Sequence, residues 1–111
     1  MNYENYTNKV PVDYQKYNDG FYDGEIFETV KGNSVCGQYI DVIENIGKYH
    51  TNMFIILKSD GTYCKIFGCT SLDRQMKKVN INDSIEIEYF GLKNNGITQY
   101  HEYKVSKLYY D

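Results

Sequence analysis

The chain is predicted to be all-β: five strands, with one short helix between the third and fourth, forming a small, partly open Greek-key barrel. Three observations carry this. From Phe27 onward, apolar and β-branched residues recur in short runs with the period of two that strands require. One stretch only, Thr70 to Val79, has a helical period instead. The first and longest run is interrupted by glycine, and a bend there lets one strand serve both sides of a barrel.

The elements follow in order. Val35 to Ile46 is the long run, punctuated by Gly37 and ended by Gly47. A glycine inside a strand suggests a bulge or sharp bend. Met53 to Leu57 is a short apolar strand. Lys58-Ser59-Asp60-Gly61 follows it, and Asp-Gly between two β-like runs marks a hairpin. Thr62 to Phe67 alternates, with Tyr63, Lys65 and Phe67 on one side and Cys64 and Ile66 on the other. In the helix, Leu72, Met76 and Val79 share a face. Thr70 or Ser71 can cap its start, and Lys77 and Lys78 suit the negative end of its dipole. Asn80 to Asp83 is a polar turn. Ser84 to Phe90 sets Ile85, Ile87 and Tyr89 against Glu86, Glu88 and Phe90. Gly91 to Gly96 reads as a loop, and Gln99 to Leu108 as the last strand. An SH3-like barrel is the main rival, but it usually lacks a helix of this length at that point.

Residues 1–26 differ from the rest. Tyr3, Tyr6, Tyr14, Tyr17 and Tyr22 stand among Asn, Asp, Gln and Lys, with no apolar period, so a flexible tail is expected. Its acids, Glu4, Asp13, Asp19, Asp23 and Glu25, outnumber Lys9 and Lys16 by three, which is the whole net charge of −3. Residues 27–111 form the barrel domain and are balanced in charge.

Bulk properties narrow the function. With 111 residues there is room for one core. No apolar run is long enough to span a membrane, and the polar start does not resemble a secretory signal. Three cysteines, an odd number, fit free thiols in the cytoplasm. A net charge of −3 argues against a protein held to duplex DNA by bulk positive charge. A single-strand binder needs less, because bases stack on aromatic rings and a few lysines meet the phosphates. The chain has thirteen Tyr and five Phe.

Several segments together resemble a known family. They are Phe27 with Lys31-Gly32-Asn33-Ser34-Val35-Cys36-Gly37-Gln38-Tyr39, then Asp60-Gly61-Thr62 and Phe67-Gly68. Leu72-Asp73-Arg74-Gln75-Met76 and the run from Asn82 to Gly91 complete the set. Over residues 27–108 the chain resembles the small OB-fold single-stranded DNA-binding proteins of bacteriophages and other mobile elements. The resemblance implies replication or recombination in the host cytoplasm, DNA across the first three strands, self-association, and contact with replication proteins. It departs from the family at Lys107-Leu108-Tyr109-Tyr110-Asp111, which has one acid where many relatives carry a long acidic tail for recruiting partners.

Tyr63, Lys65 and Phe67 are the leading site candidates. Aromatic, basic, aromatic on one strand face is what a single-strand groove needs, with each stacked base worth about 1–3 kcal/mol. The bland alternative puts both rings in the core, and Lys65 between them argues against it. Lys48, Tyr49 and His50 lie in the loop between the first two strands, which OB-folds use for oligonucleotides, or they form an ordinary solvated loop. Tyr39 either joins the binding face or packs in the barrel. Lys93 either meets phosphate from the loop between the last two strands or sits in a plain turn. Arg74, Lys77 and Lys78 make a small basic helix face of the kind that is usually solvated.

No catalytic site, cofactor or metal site is expected. Cys64 and Cys69 lack zinc-ligand spacing, and Cys64 points inward. Glu86 and Glu88 share a strand face, the usual place for solvated acids. Two functions remain: a binder of single-stranded DNA, with RNA as a variant, or a protein-interaction module.

Overall fold

The computed structural model describes residues 22–109, and six strands and one helix account for most of them. The strands are β1 (Gly24–Ile26), β2 (Ser34–Ile46), β3 (Thr51–Leu57), β4 (Tyr63–Phe67), β5 (Ser84–Asn94) and β6 (Gln99–Lys107). The helix, α1, is Thr70–Met76, between β4 and β5. The all-β architecture and the place of the helix match the sequence. The strand count does not: β1 falls at the end of the segment read as a tail. Residues 1–21, the rest of that segment, lie outside the described residues.

The strands form one sheet in the order β1-β4-β3-β2-β5-β6. β2 is the hinge of the design. Its first residues pair with β5, from Ser34 opposite Glu88 to Gln38 opposite Ser84. From Gln38 onward it pairs with β3. Gly37 sits where the partner changes, and a Cβ there would collide with the Leu57 carbonyl. The expected bend therefore needs glycine for close backbone approach. A bulge follows: Tyr39 faces Ile56 but Asp41 faces Ile55, so Ile40 is the extra residue.

The sheet is not closed by strand pairing, and side groups or a short strand cover parts of its margins. On the β4 edge, β1 adds in parallel, Gly24 opposite Tyr63 and Ile26 opposite Lys65. A Cβ on Gly24 would run into the Tyr63 carbonyl oxygen, so this docking requires glycine. On the β6 edge, α1 supplies the partners. The Gln75 amide donates to the Tyr103 carbonyl at 2.6 Å and accepts from the Val105 amide at 2.8 Å. Ser71 Oγ accepts from the Tyr103 amide at 3.3 Å. Edge groups left unpaired invite association; here a carboxamide and a hydroxyl answer them.

α1 is shorter than its helical period suggests. Its N-cap is Cys69, which makes no side-chain cap bond, in place of the expected Thr70 or Ser71. It closes at Lys77, and Val79 follows in a turn. The Asp60-Gly61 turn forms as expected: Asp60 Oδ1 accepts from the Thr62 amide and hydroxyl, which hold its carboxyl below the usual range.

Two apolar clusters flank the sheet. The inner one lies under α1 and includes Tyr39, Phe54, Ile56, Cys64, Ile66, Leu72, Met76, Ile85, Ile87, Tyr89 and Tyr103. The second lies on the opposite face of β2 and β3 and consists of Ile43, Ile46, Met53 and Ile55. β3 is thus apolar on both faces, because Met-Phe-Ile-Ile alternates sides without a polar residue.

Candidate nucleic-acid interface

Strand period places the three leading candidates together. On β4, Cys64 and Ile66 are 2% and 1% exposed in the inner core. Tyr63, Lys65 and Phe67 alternate with them on the outer face, each half-buried. Pairing with β3 sets Tyr63 opposite Leu57, Lys65 opposite Ile55 and Phe67 opposite Met53. β2 extends the rows, with Asp41 opposite Ile55 and Ile43 opposite Met53. The outer face therefore carries two rows: Asp41–Ile55–Lys65 and Ile43–Met53–Phe67. At strand spacing of ~4.8 Å, Asp41 and Lys65 stand about 10 Å apart across Ile55.

Both rings sit on an apolar bed. Tyr63 and Phe67 pack against the outer cluster, as do Ile40 and Tyr22. Tyr22 meets Tyr63 edge-on, with ring centroids 5.1 Å apart. Its hydroxyl donates to Asp41 Oδ2 at 2.5 Å.

Tyr39 belongs to the core, not to this face. It is 5% exposed and packs edge-on to Phe54 with centroids 6.1 Å apart. Burial, then Asp41 and Glu44, push its hydroxyl up to about 12. The bulge is the reason. Val35 and Tyr39 point inward, and the extra residue at Ile40 reverses the parity, so Asp41 and Ile43 point outward.

Lys48, Tyr49 and His50 lie in the turn between β2 and β3, all exposed. Tyr49 is 79% exposed, with Lys48 Nζ 5.0 Å from its ring centroid. His50 takes a left-handed φ of 54°, and its amide donates to the Gly47 carbonyl. This turn begins about two residues, ~7 Å, beyond the Met53–Phe67 pair, so it flanks the Phe67 end of the face. Lys93 is not in a loop. β5 runs on to Asn94 across a bulge at Phe90, and Lys93 stands opposite Tyr100. The loop proper is 95–98, tied by Asn95 Oδ1 accepting from the Ile97 and Thr98 amides.

The sequence did not point to a groove of about 600 Å³ between α1 and the β5–β6 hairpin, lined by Cys69, Ser71, Arg74, Asn95, Tyr100 and His101. It opens two residues past Phe67. Tyr100 is 39% exposed, and His101 Nδ1 lies 2.6 Å from the Tyr89 hydroxyl. Arg74 lines this groove, whereas Lys77 and Lys78 lie beyond the helix, so the three do not act as one face. The groove had no signal in the sequence, because it exists only where α1 and β6 come together.

Asp41 is an acid on this face, and the paired glutamates are elsewhere. Glu86 and Glu88 point out from β5, opposite Cys36 and Ser34 of β2. Burial and Glu86 together raise the Cys36 thiol above its ordinary value. Among the described residues no cluster of His, Cys, Asp and Glu could hold a metal ion. No described helix is long and apolar enough to cross a membrane. Comparisons with protein-family models, with curated proteins and with solved structures find no match.

Proposed function

We propose that the protein binds single-stranded nucleic acid, DNA foremost, with little sequence preference, along the outer face of β3 and β4. The observation that carries the reading is the row Tyr63, Lys65, Phe67 on one strand face. Two half-buried rings offer bases a stacking surface, and the lysine between them offers phosphate a cation. The Lys48–His50 turn flanks one end of the face.

Without β1, the element order is five strands with a helix between the third and fourth. That is the order expected of an OB-type barrel, whose second and third strands and whose 1–2 and 4–5 loops bind oligonucleotides. In this chain those parts are β3–β4, the 47–50 turn and the 95–98 loop. On this reading the protein is a non-catalytic DNA-binding module of replication or recombination, of the phage or mobile-element kind, acting in the cytoplasm.

Docking of another protein on the same face is the second reading. The partly exposed rings of Tyr63 and Phe67 favour it, since protein partners bury aromatic surface. Fluorescence anisotropy of labelled oligo-dT at low and high salt, with equal-length duplex and RNA strands, separates the two. Salt-sensitive binding to single strands with much weaker duplex binding is expected. No binding to dT, mixed-sequence DNA or RNA overturns the nucleic-acid reading and leaves protein docking.

A further inference from the structure

The groove between α1 and the β5–β6 hairpin has a use of its own. Its volume is about 600 Å³, inside the range of about 300–1,000 Å³ for small-molecule sites. Among the described residues that line it there is no carboxylate. What lines it instead is a set of hydrogen-bond donors, several of them held in place.

Arg74 is the first and the only arginine of the chain. Its guanidinium makes no ion pair or hydrogen bond among the described residues, although the lysines Lys58 and Lys107 each find an acid. His101 is the second. Its Nδ1 lies 2.6 Å from the hydroxyl of Tyr89, which is 3% exposed, so a buried group fixes the ring. A hydroxyl that donates to Nδ1 leaves the ring proton on Nε2, a donor with no partner among the described residues. Asn95 is the third. Its Oδ1 is taken by the Ile97 and Thr98 amides, which leaves the amide hydrogens of its Nδ2 to give.

Such a wall suits an oxyanion. A carboxylate brings two oxygens and one charge. A phosphate monoester brings three strong acceptor oxygens and a charge of about −1.5 to −2, and the arginine fork meets two of those oxygens at once. The groove holds more volume than the phosphate fills, so an organic group fits beside it. We propose that this groove binds a phosphate monoester of nucleotide size, with Arg74 and His101 as its principal donors and Asn95 in support. A free nucleotide and the phosphorylated end of a strand present the same group. The site stands apart from the β3–β4 face and does not rest on the reading of that face.

Amide NMR of the full chain tests it, with inorganic phosphate as the first probe and chloride holding the ionic strength constant. Saturable shifts are expected at Arg74 and at Thr98 to His101. Arg74→Ala should weaken phosphate binding by about tenfold, as for a lost charge-assisted hydrogen bond. Its side chain is exposed, so the melting temperature should not move. Arg74→Lys keeps the charge without the fork and should lose severalfold; His101→Ala should do the same. Shifts that never saturate, that chloride alone reproduces, or that Arg74→Ala leaves intact overturn the site. Unchanged affinity in Arg74→Lys and His101→Ala together means that bare charge attracts the ion, and overturns the donor set.

Thymidine monophosphate and oligo-dT with a terminal phosphate identify the source. At least one of them should saturate the groove residues at severalfold lower concentration than inorganic phosphate. The tighter of the two is the natural form, free nucleotide or strand end. If neither is tighter, the nucleotide assignment falls. Oligo-dT without the terminal phosphate should leave the groove residues unshifted; equal shifts from it would mean that the groove meets a diester, and would overturn the monoester.

Discussion

The sheet has two outer surfaces, built by the same alternation and opposite in character. On β5 the outward residues include Glu86 and Glu88, facing Ser34 and Cys36 on one side and Lys104 and Ser106 on the other. On β3 they are Met53 and Ile55, as buried as anything in the inner core. The cause is the sequence of each strand. β5 alternates isoleucine with glutamate, so one side is dry and the other wet. β3 has no polar residue from Met53 to Leu57, so both sides are dry. The dry side is edged by two rings and a lysine that remain partly exposed. The β5 side repels a polyanion by its two carboxylates.

The largest expected effect tests whether the outer cluster is a true core. Ile55→Ala should cost about 2–5 kcal/mol in urea unfolding, like a residue of the inner core. Glu88→Ala, on the other outer surface, should stay within about 0.5 kcal/mol. A cost below 1 kcal/mol for Ile55→Ala would dissolve the contrast, on that same scale. Next come the rings. Phe67→Ala and Tyr63→Ala should each weaken oligo-dT binding by about tenfold, within the range of a lost stacking contact. Anisotropy on variants that still unfold cooperatively gives the answer. Tyr49→Ala should weaken binding less and leave thermal stability unchanged, because its ring is mostly in solvent.

Alkaline pH addresses the inner cluster through three of its buried groups. Burial pushes the Cys64 thiol up to about 11 and the Tyr39 and Tyr103 hydroxyls up to about 12. Their ordinary values are 9.0 and 10.0. Raised folded-state values mean that the neutral forms suit the fold. Their stabilisation is complete below pH 9.0 and is lost as pH climbs through the values of about 11 and about 12. The melting temperature should therefore fall from pH 9.0 upward. A flat profile to about pH 11 would contradict the burial of these groups.

Much of this was legible in the residues. The alternation of Tyr63 to Phe67 and of Ser84 to Phe90 put each side chain on its observed side, and Asp60-Gly61 gave its turn. The partner switch of β2 at Gly37 followed from a glycine inside a strand. What escaped depends on tertiary contact. Gly24-Glu25-Ile26 has no strand pattern of its own and becomes β1 only because β4 offers an edge. The bulge at Ile40, which sends Tyr39 inward, has no marker in a run that alternates smoothly on either side. Gln75 looks like an ordinary helix residue until β6 lies beside it. The second cluster did have a signal, the unbroken run from Met53 to Leu57, whose length without a polar residue means two buried sides.

One pair of charge reversals tests the central contrast most directly. Lys65→Glu and Glu88→Lys change the charge of the chain by equal and opposite amounts on the two outer surfaces. Oligo-dT affinity measured by anisotropy, at matched salt, should fall by about tenfold or more for Lys65→Glu, with a shallower salt dependence by about 0.7 in log–log slope. It should change little for Glu88→Lys. A gain for Glu88→Lys that mirrors or exceeds the loss for Lys65→Glu would mean that overall charge governs binding, and would contradict a site on the β3–β4 face.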